Sequence, residues 1–206
     1  MIASVLKFNC RAFKESEITD TYGIHQKIYA LFPETHEGKR DFLFADKGGT
    51  FNERRILILS KQHPGVPKHG TIESKAIPAS FLEFNSYAFE VRLNPVKRDS
   101  KSKKLIPIGI GLKMALRREK LAEWFIAKSE GWGFVCDRKS LQVQDVGVQT
   151  FEKQKAPQAT VTQGTAVFIG TLKVTDRTLF VKSFEEGIGK GKGFGFGLLQ
   201  IVPLQE

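Results

Sequence analysis

Lys97-Arg98-Asp99-Ser100-Lys101-Ser102-Lys103-Lys104 holds five basic residues and no apolar side chain in eight consecutive positions. Such a run cannot contribute to a core, so it suits a boundary between two folded units. On its N-terminal side, Ile2 to Phe8 alternates as a strand does. Tyr22 to Phe32 then carries Ile24, Ile28 and Leu31 at helical spacing, with Asp20 or Thr21 as N-cap and Pro33 as the stop. Two apolar runs, Phe42-Leu43-Phe44 and Ile56-Leu57-Ile58-Leu59, flank Lys47-Gly48-Gly49 and read as a strand pair. Tyr87 to Leu93 is a further strand, ended by Asn94-Pro95. This β-α-β-β-β order suits a ferredoxin-like unit.

On the C-terminal side the order recurs. A strand from Leu105 to Ile110 precedes a helix from Leu112 to Lys128. Strand pieces follow over Phe134 to Thr150 and Thr160 to Val174, then a helix over Asp176 to Glu186. A glycine-rich turn leads into a strand from Phe196 to Val202. The halves share no sequence repeat, so the duplication rests on element order alone. The expectation is an α+β chain of two tandem ferredoxin-like domains, 1–96 and 105–206, joined by the basic linker 97–104.

The 206 residues are 41% hydrophobic, enough to bury a core, and carry a formal charge of +10 from 32 Lys and Arg against 22 Asp and Glu. That excess favours a polyanionic partner. No stretch approaches the roughly 20 apolar residues of a membrane span. The N-terminal strand pattern lacks the apolar core of a signal peptide. Cys10 and Cys136 are far apart in sequence and form no CxxC pair, which suggests cytoplasmic thiols rather than a disulfide framework or zinc site. The expected setting is cytoplasmic, without membrane association.

From Gly187 to Gly197 every second residue is glycine: Gly187-Ile188-Gly189-Lys190-Gly191-Lys192-Gly193-Phe194-Gly195-Phe196-Gly197. An ordinary strand does not tolerate this. One reading is close approach to a phosphate chain, with Gly189 and Gly191 exposing backbone N–H groups and Lys190 and Lys192 adding charge. The other is a tight helix-to-strand turn packed on its neighbours. The segment is not a P-loop, because glycine follows both lysines where Ser or Thr is required, and the GxGxxG spacing fails at Lys192.

Of four histidines, His36, His63 and His69 lie in polar, loop-like sequence and suggest solvated side chains. His63 and His69 lack a convincing Cys or acidic partner at ligand spacing, so no metal and no other cofactor is expected. His25 sits in the first turn of the first helix, three residues after Tyr22, so both project from one face. The positive end of the helix dipole favours neutral imidazole, which can take a proton. Cleavage of RNA by its own 2′-OH needs a base, an acid and cations for the developing charge. His25, Tyr22 and nearby lysines could supply these; a helix-surface histidine bound to a carbonyl or water is the alternative.

Further basic residues fall into three groups. Lys97, Arg98, Lys101, Lys103 and Lys104 form the linker; Lys113, Arg117 and Lys120 share a helix face; Lys153 and Lys155 occupy a polar loop between strands. Together with the glycine turn they could track the phosphates of an A-form duplex.

Several segments, in order, resemble the CasE-type CRISPR-associated endoribonucleases, subunits of the type I-E Cascade complex. Tyr22-Gly23-Ile24-His25 with Leu31-Phe32-Pro33 is similar to a YxxH…LFP helix, and Arg40-Asp41-Phe42-Leu43-Phe44 to an RDFLF strand. Arg92-Leu93-Asn94-Pro95-Val96-Lys97 resembles RLxANPxK with one residue missing after Leu93. Glu119-Lys120-Leu121-Ala122-Glu123-Trp124 looks like the family's second-half helix. The glycine segment, running on to Leu198, Leu199 and Pro203, resembles a GIGxxKxxGxGLLxxxP ending.

The resemblance implies two tandem ferredoxin-like (RAMP/RRM-like) domains and metal-independent cleavage within the CRISPR repeat. Products would carry a 5′-OH and a 2′,3′-cyclic or 3′-phosphate end. The protein would keep the repeat RNA hairpin and join the other Cascade subunits. It also implies that His25 is the catalytic histidine, as base or acid, that Tyr22 assists, and that Lys153 and Lys155 belong to a basic hairpin on the RNA stem. The rival reading is a non-catalytic RNA-binding scaffold subunit. A small-molecule enzyme would need an acidic or metal-binding cluster that the sequence does not offer.

Overall fold

The computed structural model describes residues 1–16, 18, 20–33, 40–50, 53–152 and 160–205. Strand β1 (Ile2–Asn9) buries Ile2, Ser4, Leu6 and Phe8 in strict alternation. A short helix α1 (Cys10–Glu15) follows, opened by Asn9, whose side chain accepts from the Ala12 N–H at 2.8 Å. Helix α2 (Thr21–Tyr29) is capped by Asp20, which accepts from the Gly23 N–H at 2.8 Å. It ends at Tyr29, before the expected stop at Pro33. Leu31 and Phe32 bond back three residues, to the Ile28 and Tyr29 carbonyls, and tighten the exit.

Strands β2 (Phe42–Gly49), β3 (Glu53–Ser60) and β4 (Thr71–Ala76) complete an antiparallel sheet in the order β2-β3-β1-β4. Residues 61–70 join β3 to β4 where a full ferredoxin-like unit would place a second helix. Both faces of this sheet are covered. Phe42, Phe44, Ile56 and Ile58 pack with Ile24 and Ile28 of α2, while Leu43, Ala45 and Leu59 join the core of the second half.

The second half consists of β5 (Ser86–Leu93), β6 (Val96–Arg98), β7 (Leu105–Pro107), α3 (Met114–Ser129), β8 (Phe134–Cys136), β9 (Gln142–Glu152), β10 (Thr160–Val174), α4 (Arg177–Glu186) and β11 (Gln200–Pro203). Its sheet runs β11-β5-β10-β8, with β9 also on β10. First and third strands are central, so this is a complete β-α-β-β-α-β unit. Phe125 of α3 stacks on Phe168 of β10 at 4.6 Å and 17°, and Phe180 of α4 packs against Tyr87 and Phe134. Truncating one such buried ring to Ala typically costs about 3–5 kcal/mol.

Three expectations change. Tyr87 to Leu93 belongs to the second sheet, pairing with β10 and β11, so the sheets divide within 77–85 rather than at 97–104. The basic run 97–104 is therefore no linker. It closes the β6–β7 hairpin, where Asp99 accepts from Ser102 and Lys103 takes φ 57°. Residues 196–199 are not strand; Gly195 and Gly197 lie at φ +80° and +82°, and β11 starts at Gln200. No helix among the described residues is long and apolar enough to cross a membrane.

Between α4 and β11 the glycine segment forms a closed loop. Ile188 N–H bonds the Gly197 carbonyl at 2.9 Å, and Gly197 N–H bonds the Arg92 carbonyl of β5 at 2.8 Å. These bonds push a single 3-10 turn, Lys192–Phe194, toward α2.

Candidate active site

The first turns of α2 and the Lys192–Phe194 turn meet around His25. Its half-buried ring stacks on Tyr22 (5.6 Å, 18°) and on Phe194 (5.2 Å, 23°), with Tyr29 tilted against it at 4.2 Å. Tyr22, His25 and Tyr29 stand at i, i+3 and i+7, one face of the helix. Nδ1 of His25 lies 2.6 Å from the Gly193 carbonyl oxygen. A carbonyl oxygen can only accept, so Nδ1 carries the hydrogen and the neutral ring's basic lone pair is on Nε2.

Burial pushes the imidazole pKa below its ordinary value; the Gly193 carbonyl opposes that shift, and the Arg40 guanidinium adds to it. Neutral His25, expected from the helix dipole, is thus favoured chiefly by burial. Arg40 precedes β2, and its Nε is buried with no hydrogen-bond partner. A Cβ at Gly193 would stand 2.9 Å from Arg40 Nη1 and 3.8 to 3.9 Å from the His25 ring. Arg40 and His25 thus flank one glycine Cα. Lys192, half-buried, donates from Nζ to the Glu186 carbonyl at 2.7 Å. Burial lowers its pKa; Glu186 opposes this and Arg40 adds to it.

The packed-turn reading of the glycine segment describes Gly191 and Gly195. Gly195 packs its Cα against the Phe44 ring at φ +80°, where a side chain has no room. Gly191 lies against Phe196, whereas Gly193 faces the site. Gly189 and Lys190 are exposed; they line a cleft of about 590 Å³ with Lys97, Arg98 and Trp124.

Among the described residues, the cations of the 97–104 run and of α3 make no hydrogen bond with His25. Lys97, Arg98, Lys101, Lys103 and Lys104 are all exposed on the hairpin. On α3, Lys113 is exposed at the N-cap, Arg117 packs against Gly109, and Lys120 pairs with Glu123 at 2.8 Å. Lys153, Lys155 and His36 lie outside the described residues. His69 stands 3.7 Å from Glu15, and no group of three His, Cys, Asp or Glu gathers among the described residues. Cys10 and Cys136 are free thiols, that of buried Cys136 pushed up to about 11. Tyr29, Phe194 and Arg40 were not anticipated as site residues. Tyr29 could have been found from helical spacing; the other two are brought in by tertiary contact.

Residues 1–203 match the family described as CRISPR associated protein. The CRISPR system Cascade subunit CasE of Escherichia coli is 26% identical over 191 residues, covering 90% of this chain and 93% of that protein. A structure of the CRISPR endoribonuclease Cse3 bound to a 19-nucleotide RNA superposes with TM-score 0.80 at 19% identity, covering 98% of this chain and 100% of that one. Thermus thermophilus Cse3, bound to an RNA representing a pre-cleavage complex, gives 0.77 at 18% identity, covering 98% of each chain. Cas6e from Escherichia coli gives 0.62 at 22%, covering 99% of this chain and 100% of that one. At these identities the structural likeness establishes the fold.

Proposed function

Because this chain belongs to the CRISPR-associated protein family, we propose that it is a metal-independent endoribonuclease that cuts CRISPR precursor RNA within its repeats. The observation that carries this reading is the 2.6 Å bond from His25 Nδ1–H to the Gly193 carbonyl, which presents Nε2 as a base. Similarity to CasE and to RNA-bound Cse3 supplies the substrate class.

The 2′-oxygen forms a bond to the adjacent phosphorus while the P–O5′ bond breaks. His25 accepts the 2′-hydroxyl proton, and the departing O5′ takes a proton from solvent water, leaving a 5′-OH and a 2′,3′-cyclic phosphate. Tyr22, stacked on the imidazole, is the assisting group. The exposed hairpin cations and Lys190 are suited to hold the repeat hairpin after the cut. The product complex then remains with the other Cascade subunits.

Cleavage of a repeat hairpin in EDTA by wild type and His25→Ala, with a 2′-deoxy substrate in parallel, tests the proposal. Cleavage by wild type alone, abolished by the 2′-deoxy change, is the expected result. Equal cutting by the alanine variant would overturn the catalytic assignment, and no cutting of any repeat RNA by wild type would leave an RNA-binding scaffold.

A further inference from the structure

Arg40 is a half-buried guanidinium whose Nε has no hydrogen-bond partner, and it forms no ion pair among the described residues. Other arginines of this protein show how such a group is usually satisfied. Arg54 reaches Asp46 through two bonds of 3.2 and 2.5 Å, and Arg177 donates to the Leu82 and Phe84 carbonyls at 2.5 and 2.6 Å. Arg117 also has an unpartnered Nε, but it packs on Gly109, away from the imidazole. An unpaired buried N–H on a cation costs stability unless a ligand completes it. The natural ligand is an anion, and the planar fork of a guanidinium matches phosphate oxygens in particular.

The position of Arg40 says which phosphate. Its Nη1 and the His25 ring both border the Cα face of Gly193, at 2.9 Å and 3.8 to 3.9 Å from where a Cβ would stand. A phosphate seated on Arg40 therefore lies beside the base that takes the 2′-OH proton. Resting on the endoribonuclease reading above, we propose that Arg40 is a catalytic residue that binds the non-bridging oxygens of the scissile phosphate and stabilises the charge they gain in the transition state. Gly193 is then the residue that lets base and clamp share one phosphate.

Single-turnover cleavage at saturating protein, with Arg40→Ala, Arg40→Lys and His25→Ala, tests this. Arg40→Ala should lose about 10²–10³-fold in rate, the magnitude typical of a lost transition-state donor. Its repeat-RNA Kd should stay within a few-fold of wild type. Arg40→Lys should recover part of the rate, and millimolar guanidinium ion should speed Arg40→Ala but not His25→Ala. The titratable and charged groups around the imidazole are Tyr22 and Tyr29 from α2 and Arg40 from the strand side. Removing the Arg40 charge should accordingly move the acid limb of the pH–rate profile upward.

A merely structural role would give equal losses in rate and affinity without guanidinium rescue, and that result overturns the proposal. So does wild-type cleavage by Arg40→Ala while His25→Ala is inert, an outcome that leaves the endoribonuclease reading standing. No cutting of repeat RNA by wild type would sink that reading instead. If Arg40→Ala does not fold, Arg40→Lys decides: a single-turnover rate indistinguishable from wild type counts against the clamp.

Discussion

The site around His25 and the β6–β7 hairpin both carry positive charge, yet they are built in opposite ways. At the site each polar group is half-buried and positioned: His25 by the Gly193 carbonyl, Lys192 by the Glu186 carbonyl, Arg40 by packing against Gly193. On the hairpin five cations are exposed, and order comes from the backbone turn, where Ser102 N–H and hydroxyl hold the Asp99 carboxyl below the usual carboxylate range. Desolvated, fixed groups can shift protons and stabilise developing charge. Solvated charges attract a polyanion and release its counterions. Counting cations along the sequence therefore finds the second region and misses the first.

The comparison can be broken most sharply at His25. His25→Ala should slow cleavage by about 10²–10⁴-fold, the range for a lost general base, with RNA affinity barely changed. A matching loss of affinity would make the site a binding surface like the hairpin. Next comes Gly193→Ala, whose new Cβ would meet Arg40 Nη1 at 2.9 Å. Displacing the clamp from the base should cost about tenfold or more in single-turnover rate, since small misplacements are expensive. A wild-type rate would show that the two groups need not share that glycine.

The hairpin should respond in affinity instead. Neutralising Lys101, Lys103 and Lys104 together should flatten the dependence of log K on log salt by at most about one unit per lost phosphate contact. The single-turnover rate at saturation should stay near wild type. An unchanged slope would put the hairpin in solvent. The smallest effect expected is in pH. Burial and Arg40 depress the His25 pKa, so neutral base persists as pH falls below the ordinary imidazole value, and activity is lost only on passing through the depressed one. A half-maximum at or above about pH 6.5 would contradict that environment.

Element order was largely legible. Asp20 and Asp176 cap the helices they were expected to cap, or at whose head they were placed, and Thr160–Val174 is one strand. Those signals are local: a side chain reaching an N–H three residues on, or a period of two. The membership of Tyr87 to Leu93 was not legible, because its alternation is the same whichever sheet it joins, and only pairing with β10 and β11 decides. The hairpin was misread for a related reason. An apolar-free run suits a solvated turn as well as a linker, and the partner strands, Val96–Arg98 and Leu105–Pro107, are only three residues each.

What the sequence determined by itself is local and periodic: the strands and helices, the Tyr22, His25 and Tyr29 face of α2, and a backbone over 187–197 that only glycine permits. Tertiary structure alone decided that this glycine loop folds onto α2 from 168 residues away, bringing the Gly193 carbonyl to the imidazole. It also decided that Arg40 stands against the same Cα. The state of His25 follows from that meeting, because burial, a carbonyl and a neighbouring cation act through space and leave no mark on the residues beside it in the chain.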